Sequence, residues 1–375
     1  MRDPETSVEP DPSTISVVES QRLGLDFRHG VVNYWNRFQR GEEQSINVPG
    51  AAPLPCSLAG VVSQGARAIA VAGEAIVDFV LEPGGGTTPR LGGGSFNAAR
   101  TLGRLGLAPA FIGRLSTDRY GCALRRGLEE SGVNLDGIVT TDDPTTFAHV
   151  ELDAYGTPSY RFYIDGTSMA GLRPEEARAA MPARAAALHI GGLGVAVQPQ
   201  ATSISALVRE AGSETLVLVD PNCHAHAARA RPGFRERLRD LIRFADIVKT
   251  SEADLVYLEP DQSPQDTARA LLARGPAVVL LTNGRLGATV LTTRDEAFVE
   301  APRVEVIDTI GAGDAFGAAW IGGWVADGLR RGDLGDFNAV LRVADFAALV
   351  AARTCERAGA EPPRAAKVDA EWCFV

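Results

Sequence analysis

The stretch IDTIGAGDAFGAAW, Ile307–Trp320, decides how the rest of the chain is interpreted. It places three glycines and two aspartates among small and apolar residues. Glycines at the start of a helix let backbone N–H groups converge on an anion, and the helix dipole adds favourable potential. We expect this helix to begin near Gly311–Gly313, which puts Asp314 in its first turn. There the carboxylate either stabilises the helix or accepts the proton of a hydroxyl that attacks a bound phosphoryl group.

Three other interpretations of this motif can be compared with the sequence. A P-loop requires G-x-x-x-x-G-K-[ST], and the chain contains no such string. A dinucleotide-binding fold requires a strand and an acid about 20 residues after the glycines. The segment WVADGLRRGDLGD, Trp324–Asp336, offers acids but no apolar strand before them. A purely structural turn stays open, because two closely spaced glycines are weak evidence by themselves.

A second glycine cluster, LGGGSFNAAR at Leu91–Arg100, also precedes a predicted helix. Glycines allow the backbone to approach a small polar ligand closely, and Asn97 offers both a donor and an acceptor near the helix start. Asp78, near the end of the first predicted strand, has a carboxylate that can accept two hydroxyl groups. A polyol site and an anion site on one sheet together favour phosphoryl transfer to a sugar hydroxyl.

Apolar strands alternate with helices from residue 67 onward, as in AIAVA, ALHIGGLG, LVLVD and AVVLLT. Repeated strand–helix units predict a mainly parallel sheet covered on both faces, with the ligand beyond the carboxyl ends of the strands. Residues 146–166 differ, since two alternating runs joined by a Gly-Thr-Pro turn predict an antiparallel hairpin. Polar residues follow the predicted strands at Glu74, Asp78, Asp220, Asn222, Glu252, Thr282 and Asn283.

The composition of the 375 residues excludes several classes of protein. A formal charge of −10 argues against broad binding to nucleic acid or to acidic membranes, and no apolar run is long enough to span a bilayer. The five scattered cysteines form no C-x-x-C pair, as is typical of a reducing compartment. His224 and His226 lack a nearby third metal ligand. We therefore expect a soluble, cytoplasmic protein without a structural metal.

Residues 1–66 have a different character. The first twenty contain five acids, one arginine and three prolines, without any aromatic residue. Such a segment cannot bury enough surface to offset its loss of conformational entropy. We expect a largely disordered extension at 1–66, followed by one domain at 67–375.

From about Arg67 to Glu361 the chain resembles the phosphofructokinase-B or ribokinase family of carbohydrate kinases. The residues DTIGAGDAF, Asp308–Phe316, resemble the family's C-terminal signature D-T-x-G-A-G-D. The residues GGGSFNAARTLGRLG, Gly92–Gly106, resemble its N-terminal signature, although Ser95 stands where Ala, Gly or Pro is more usual. Within the family, stretches such as GEAIVDFV, LVDPN and TCERAGAEPP are most similar to bacterial fructokinases.

The resemblance implies a three-layer α/β/α fold with a mainly parallel central sheet and a small β lid from about 79–92 and 145–168. It also implies roles for individual residues. Asp314 would be the catalytic base, and the amides of Gly311, Ala312 and Gly313 would form the anion hole. Glu252 would help to place Mg²⁺ through water. The sugar would contact Asp78, Gly93, Gly94 and Asn97, and the nucleotide would contact Thr282, Asn283, Gly284, Gly287 and Gly313.

The activity implied by the resemblance is ATP- and Mg²⁺-dependent phosphorylation of a sugar hydroxyl, with fructose as the first choice of acceptor. Alternative acceptors are 2-keto-3-deoxygluconate, ribose and a nucleoside; an acid sugar would favour a cationic lid residue, for which Arg161 is the candidate. A catalytically weak sugar-binding regulatory protein is a more distant alternative. An NAD-linked oxidoreductase has only the glycine run in its favour.

Two departures from the family pattern affect the acceptor more than the reaction. Lys249 stands where many members have asparagine, and His224 stands where fructokinase-like chains usually have arginine. The resemblance is compatible with a homodimer formed through the lid. The sequence does not decide whether a monovalent cation activates the protein.

Overall fold

The computed structural model describes residues 68–81, 86–152, 158–223 and 231–372. The predictions for residues 1–66 and for His224 and His226 lie outside these ranges. Within them the predicted fold class is confirmed, since helices cover both faces of a large sheet and a smaller sheet lies beside it.

The large sheet has nine strands in the order β13-β12-β11-β10-β9-β8-β1-β4-β5. From β11 to β5 each neighbouring pair is parallel, whereas β12 and β13 join antiparallel at one edge. The strands are β1 (Ala68–Ala72), β4 (Ala110–Ser116), β5 (Ile138–Thr141), β8 (Ala185–Gly191), β9 (Leu216–Asp220), β10 (Ile247–Ser251), β11 (Val278–Thr282), β12 (Gly287–Leu291) and β13 (Glu296–Glu300).

Side chains on the two faces of this sheet belong to two separate hydrophobic cores. In β1, Ile69 and Val71 point into one core, and Ala70 and Ala72 into the other, as the two-residue period of a strand requires. The first core is closed by α1 (Gly94–Arg104), α2 (Arg119–Glu129), α8 (Ala312–Ala326), α9 (Phe337–Thr354) and α10 (Ala365–Trp372). The second is closed by α3 (Pro174–Ala180), α4 (Gln200–Arg209), α5 (Phe234–Ile242), α6 (Glu252–Leu258) and α7 (Pro264–Leu272).

The smaller sheet has the strand order β3-β2-β6-β7. It is built from β2 (Ile76–Leu81), β3 (Thr87–Gly92), β6 (Phe147–Leu152) and β7 (Pro158–Tyr163), so the predicted antiparallel pair in 146–166 is confirmed. On one face Phe147 stacks on Tyr163 with ring centroids 4.6 Å apart, and Phe79 packs edge-on against Tyr120 of α2.

Helix α8 is apolar on all sides, which is typical of a helix enclosed by protein. Trp320 and Trp324 are fully buried and stack at 5.0 Å. The helix packs between α1 and α9, and its glycines permit the close approach. A Cβ at Gly322 would lie 2.7 Å from Leu102 and from Leu107. This packing fixes the position of the helix start, where the predicted anion site lies. No helix in the described ranges has the length and apolar character needed to cross a membrane.

Candidate active site

The predicted anion site coincides with the first turn of α8. Gly311 caps the helix with a φ of 79°, which lies in the left-handed region that favours glycine. A Cβ there would also lie 2.6 Å from that of Ala360. The N–H groups of Gly313 and Asp314 have no acceptor within the helix because they belong to its first turn, whereas the Ala312 N–H donates to the Thr309 carbonyl at 3.3 Å. The turn therefore presents donors and a positive dipole end to a ligand.

The Asp314 side chain is buried and held by two amides. Asn97 Nδ2, from the first turn of α1, donates to Asp314 Oδ2 at 2.8 Å. Asn222 Nδ2, from the residues after β9, donates to Asp314 Oδ1 at 3.2 Å. The two donors fix the orientation of the carboxylate, and each oxygen keeps a second lone pair for a proton. The structure thus brings Asp314 and Asn97 together, as the sequence predicts.

Asn222 is a site residue that the sequence indicated only as one of several polar residues after strands. Its backbone has a φ of 39°, which a residue other than glycine seldom adopts. Residues held in this region are enriched at functional sites. The conformation directs the Asn222 amide toward Asp314, which lies 92 positions further along the chain.

Gly93 and Gly94 bring α1 close to these side chains. A Cβ at Gly94 would lie 2.9 Å from Asn222 Nδ2, 3.0 Å from Glu74 Oε1 and 3.2 Å from Asp314 Oδ1. Gly93 has a φ of 105°, and a Cβ there would lie 2.9 Å from the Glu74 carbonyl oxygen. Any larger residue would push the helix away from the carboxylates. Both glycines therefore have a steric role at the site.

Asp78 faces the same region from β2. Burial, together with the nearby Asp314 charge, raises the pKa of Asp78 to about 7. Asp78 Oδ1 and Asn97 Oδ1 are buried, and neither has a hydrogen-bond partner among the described residues. A buried acceptor without a donor is costly, and the hydroxyl groups of a polyol are suitable donors.

Glu74 is a second acid whose place in the cluster the sequence did not specify. Burial raises its pKa to about 7, and Asp314 adds to this effect. The Ser95 amide and hydroxyl both lie 3.2 Å from the Glu74 carboxylate, at Oε1 and Oε2 respectively. The serine at this unusual position of the signature thus provides donors to a buried acid.

Lys249 lies in β10 beneath the first turn of α8. Its Nζ is 2.9 Å from Asp220 Oδ2, and both side chains are buried. Burial by itself lowers the pKa of Lys249, but Asp220, Asp254 and Asp314 together raise it. Lys249 is therefore charged, and it forms a buried ion pair next to the predicted anion site.

The acid predicted to place the metal lies at the end of β10. Glu252 is the first residue of α6 and is exposed. Asp254, two residues further on, is buried and accepts from Ser251 N at 2.8 Å, Ser251 Oγ at 2.7 Å and Cys223 N at 2.6 Å. These contacts use both oxygens of Asp254 within the protein, and the role of Glu252 toward Mg²⁺ through water stays a prediction.

The predicted nucleotide loop follows β11. Thr282 Oγ1 donates to the Thr250 carbonyl at 3.1 Å, and Asn283 Nδ2 donates to Thr289 Oγ1 at 3.1 Å. Gly284 has a φ of 56° and Gly287 a φ of 125°, so both turns of the loop use conformations that favour glycine. Since β10 and β11 are parallel neighbours, the loop emerges at the same edge of the sheet as the end of β10.

A cavity of about 510 Å³ lies under the smaller sheet. Its walls include Asp78, Arg90 and Tyr160. Arg161 is exposed and lies on the opposite face of β7 from Tyr160, because successive residues of a strand alternate. The structure therefore does not bring Arg161 to the other predicted sugar-binding residues. Arg90 is the arginine that lies close to these residues. It is the direct partner of Asp78 across β2 and β3, so both side chains are on the same face of the smaller sheet.

Comparisons with known proteins agree with this geometry. The model of the pfkB family carbohydrate kinases matches residues 66–366. A fructokinase of Rhizobium leguminosarum bv. trifolii is 30% identical over 261 residues, which cover 68% of this chain and 79% of that protein. A probable fructokinase-3 of Arabidopsis thaliana is 30% identical over 310 residues, 80% of this chain and 88% of that protein. The crystal structure of a fructokinase from Xylella fastidiosa with bound ATP has a TM-score of 0.75 at 26% identity, and the match covers 83% of this chain and 99% of that one. This chain therefore belongs to the pfkB family of carbohydrate kinases.

Proposed function

We propose that this carbohydrate kinase transfers the γ-phosphoryl group of ATP to a hydroxyl group of fructose. The observation that carries the proposal is the Asp314 carboxylate, held by two amides at a turn that presents backbone donors. The unpartnered acceptors of Asp78 and Asn97 lie beside it. Support for fructose comes from the curated relatives, which are named fructokinases, and support for ATP comes from the Xylella fastidiosa structure.

In this proposal Asp314 accepts the proton of the attacking hydroxyl as the new oxygen–phosphorus bond forms, the bond from the γ-phosphorus to the bridging oxygen breaks, and ADP leaves with that oxygen. The hydrogen bonds from Asn97 and Asn222 orient its two oxygens and leave lone pairs available. The first-turn amides of α8 stabilise the negative charge that develops on the transferred group. Positioning and electrostatics then supply most of the rate, as expected for phosphoryl transfer.

The residues present also fit a nucleotide-bound Mg²⁺. In the described part of the chain, no three acids, histidines or cysteines form a ready-made metal site. Mg²⁺ is commonly held by substrate phosphates, water and one or two carboxylates, so it does not need such a site. Asp220 Oδ1 is buried without a hydrogen-bond partner among the described residues, and it is the acceptor that a metal-bound water would meet. The Thr282–Gly287 loop would lie under the nucleotide, and Glu252 would have only an outer role.

The smaller sheet would act as a lid that keeps water from the phosphoryl group, since open access would favour ATP hydrolysis. The same sheet would form the contact of a homodimer. We also assign the protein to the cytoplasm, supported by the free thiols of Cys122, Cys223 and Cys355. Activation by a monovalent cation is a further proposal, and adding potassium or sodium salts to the assay tests it.

A second acceptor class is favoured by Arg90, which lines the cavity on the same sheet face as Asp78. Its Nη1 lies 3.4 Å from Asp308 Oδ2, a distance at the outer limit of a hydrogen bond. The guanidinium is therefore available to a carboxylate or phosphate on the acceptor. An acid sugar such as 2-keto-3-deoxygluconate is the alternative that uses this residue.

The deciding experiment is a panel of acceptors with ATP and Mg²⁺, followed through ADP release. We expect fructose to give the highest kcat/KM, with ribose and a nucleoside far lower. A preference for 2-keto-3-deoxygluconate that disappears in Arg90→Met would instead establish the acidic acceptor. If no acceptor stimulated ADP release, the catalytic proposal would fail and a regulatory sugar-binding role would replace it.

A further inference from the structure

The Lys249 side chain runs directly beneath the first turn of α8. A Cβ at Gly313 would lie 2.9 Å from Lys249 Nζ and 3.7 Å from its Cε. A Cβ at Gly317, one turn further on, would lie 3.7 Å from Lys249 Cδ and Cγ. Gly313 therefore leaves room for the ammonium group, whereas the distances at Gly317 are those of ordinary van der Waals contact. The ammonium group lies at the start of the helix, beside one of the amides of the anion site.

Two features of this location, the helix start and burial, disfavour a cation. The start of a helix carries a positive partial charge, so cations are stabilised at the other end. Lys249 is also buried, which disfavours its charged form. Asp220 is the only hydrogen-bond partner of its Nζ among the described residues. Asp220, Asp254 and Asp314 offset these costs and raise the pKa of Lys249, and the ammonium group adds positive potential at the place where an anion would bind.

Lys249 is also unusual in the composition of the chain, because lysine is rare in it. Only two of its 37 basic residues are lysines, Lys249 and Lys367, and the other 35 are arginines. A lysine is a compact point charge, whereas arginine carries a broad planar fork. A Cβ at Gly313 would lie only 2.9 Å from the ammonium group, so the lysine fills the space under this glycine.

We propose that Lys249 is an electrostatic positioning residue for phosphoryl transfer: its fixed charge, placed behind the Gly313 amide, strengthens the anion site for the transferring group. This proposal rests on the proposed kinase function. An interaction that is stronger in the transition state than in the bound nucleotide raises kcat, so in this proposal Lys249 acts mainly on kcat. Asp220 holds the ammonium group in place.

The test uses Lys249→Met, which removes the charge and every donor, and Lys249→Gln, which removes the charge and keeps a shorter amide donor. Removal of one donor from an oxyanion site typically lowers kcat by ~10²–10³-fold. We expect both variants to lose about 10²-fold in kcat on the best acceptor of the unmodified protein, with acceptor KM changed less than threefold. Affinity for ADP with aluminium fluoride, a mimic of the transferring group, should fall about as much as kcat, while affinity for ADP alone stays within threefold.

Arg331→Met is the matched control, since Arg331 Nε pairs with the buried Asp246 at 2.6 Å away from the described site. It should lower the melting temperature and leave kcat unchanged. Recovery of kcat in Lys249→Gln, or equal losses of affinity for ADP and for the mimic, would overturn the proposal and leave Lys249 a structural partner of Asp220. The affinity for ADP with aluminium fluoride is measured without a sugar acceptor. It therefore tests the role of Lys249 even if no sugar is phosphorylated and the proposed function fails.

Discussion

Replacing Asp314 with asparagine keeps the shape of the side chain and removes its ability to accept a proton. Loss of a general base typically lowers kcat by ~10²–10⁴-fold, which is about 2.7–5.4 kcal/mol in the activation free energy. The structure adds a second effect. Asn97 and Asn222 both donate to the carboxylate, but an amide presents one acceptor and one donor. One hydrogen bond is therefore lost, or one asparagine must turn, at about 1–3 kcal/mol of folding stability.

Turnover of Asp314→Asn is measured by coupled ADP release, nucleotide affinity by calorimetry, and the melting temperature by differential scanning fluorimetry. We expect a large fall in kcat, a melting temperature several degrees lower, and ADP affinity within threefold of the unmodified protein. Asp118→Asn is the control, since Asp118 accepts from the amides of Tyr120 and Gly121 at the start of α2. It should lose stability without losing turnover. A kcat within threefold of the unmodified protein for Asp314→Asn would refute the role of Asp314 as base.

Three further predictions concern the same cluster. In Gly94→Ala the new methyl group would crowd Asn222, Glu74 and Asp314, so we expect kcat/KM for the sugar to fall ~10-fold or more with the overall fold retained, as steady-state kinetics and circular dichroism would show. Asn222→Gly keeps the backbone conformation and removes the hydrogen bond to Asp314, so kcat should fall about 10–150-fold, in line with the ~1.5–3 kcal/mol of a hydrogen bond to a charged group. The pKa of Asp78 is raised from 3.8 to about 7. Between these two pH values the native state therefore holds a proton that the unfolded state has released. The contribution of Asp78 to folding stability therefore declines as pH rises from about 4 to 7. The KM for the sugar should rise as pH falls below about 7. A KM that does not change with pH over that range, or a pH dependence that Asp78→Asn does not flatten, would contradict this prediction.

Periodic features of the sequence were sufficient to predict the fold. The apolar runs of β1, β8 and β9 and the alternating runs of β6 and β7 have different periods, and each period belongs to one kind of sheet. The glycine clusters predicted both helix starts, at Gly94 and Ala312. These features are local, so they can be seen without knowledge of the tertiary contacts.

Features of the site that depend on side-chain direction were predicted less well. Arg161 and Arg90 both lie on strands of the smaller sheet, but only the register of β2 and β3 shows that Arg90 shares a face with Asp78. Glu252 and Asp254 are separated by two positions on a helix, and the sequence motif alone did not tell which one turns inward. The contact of Asn222 with Asp314 requires a backbone conformation that asparagine rarely adopts, so nothing in the local sequence predicts it.

Because α8 is enclosed by neighbouring helices, a substitution far from Asp314 can displace the catalytic side chain. The helix that carries Asp314 cannot adjust independently, because Gly322 and Gly323 lie against Leu102 and Phe346 in the neighbouring helices. Those glycines are about 12–14 Å from Asp314 along the helix axis, yet a methyl group added there would shift the whole of α8. Displacing reacting groups by about 1 Å can reduce a rate ~10²-fold. Gly322→Ala should therefore lower kcat as a substitution in the catalytic centre would, although residue 322 contacts neither sugar nor nucleotide.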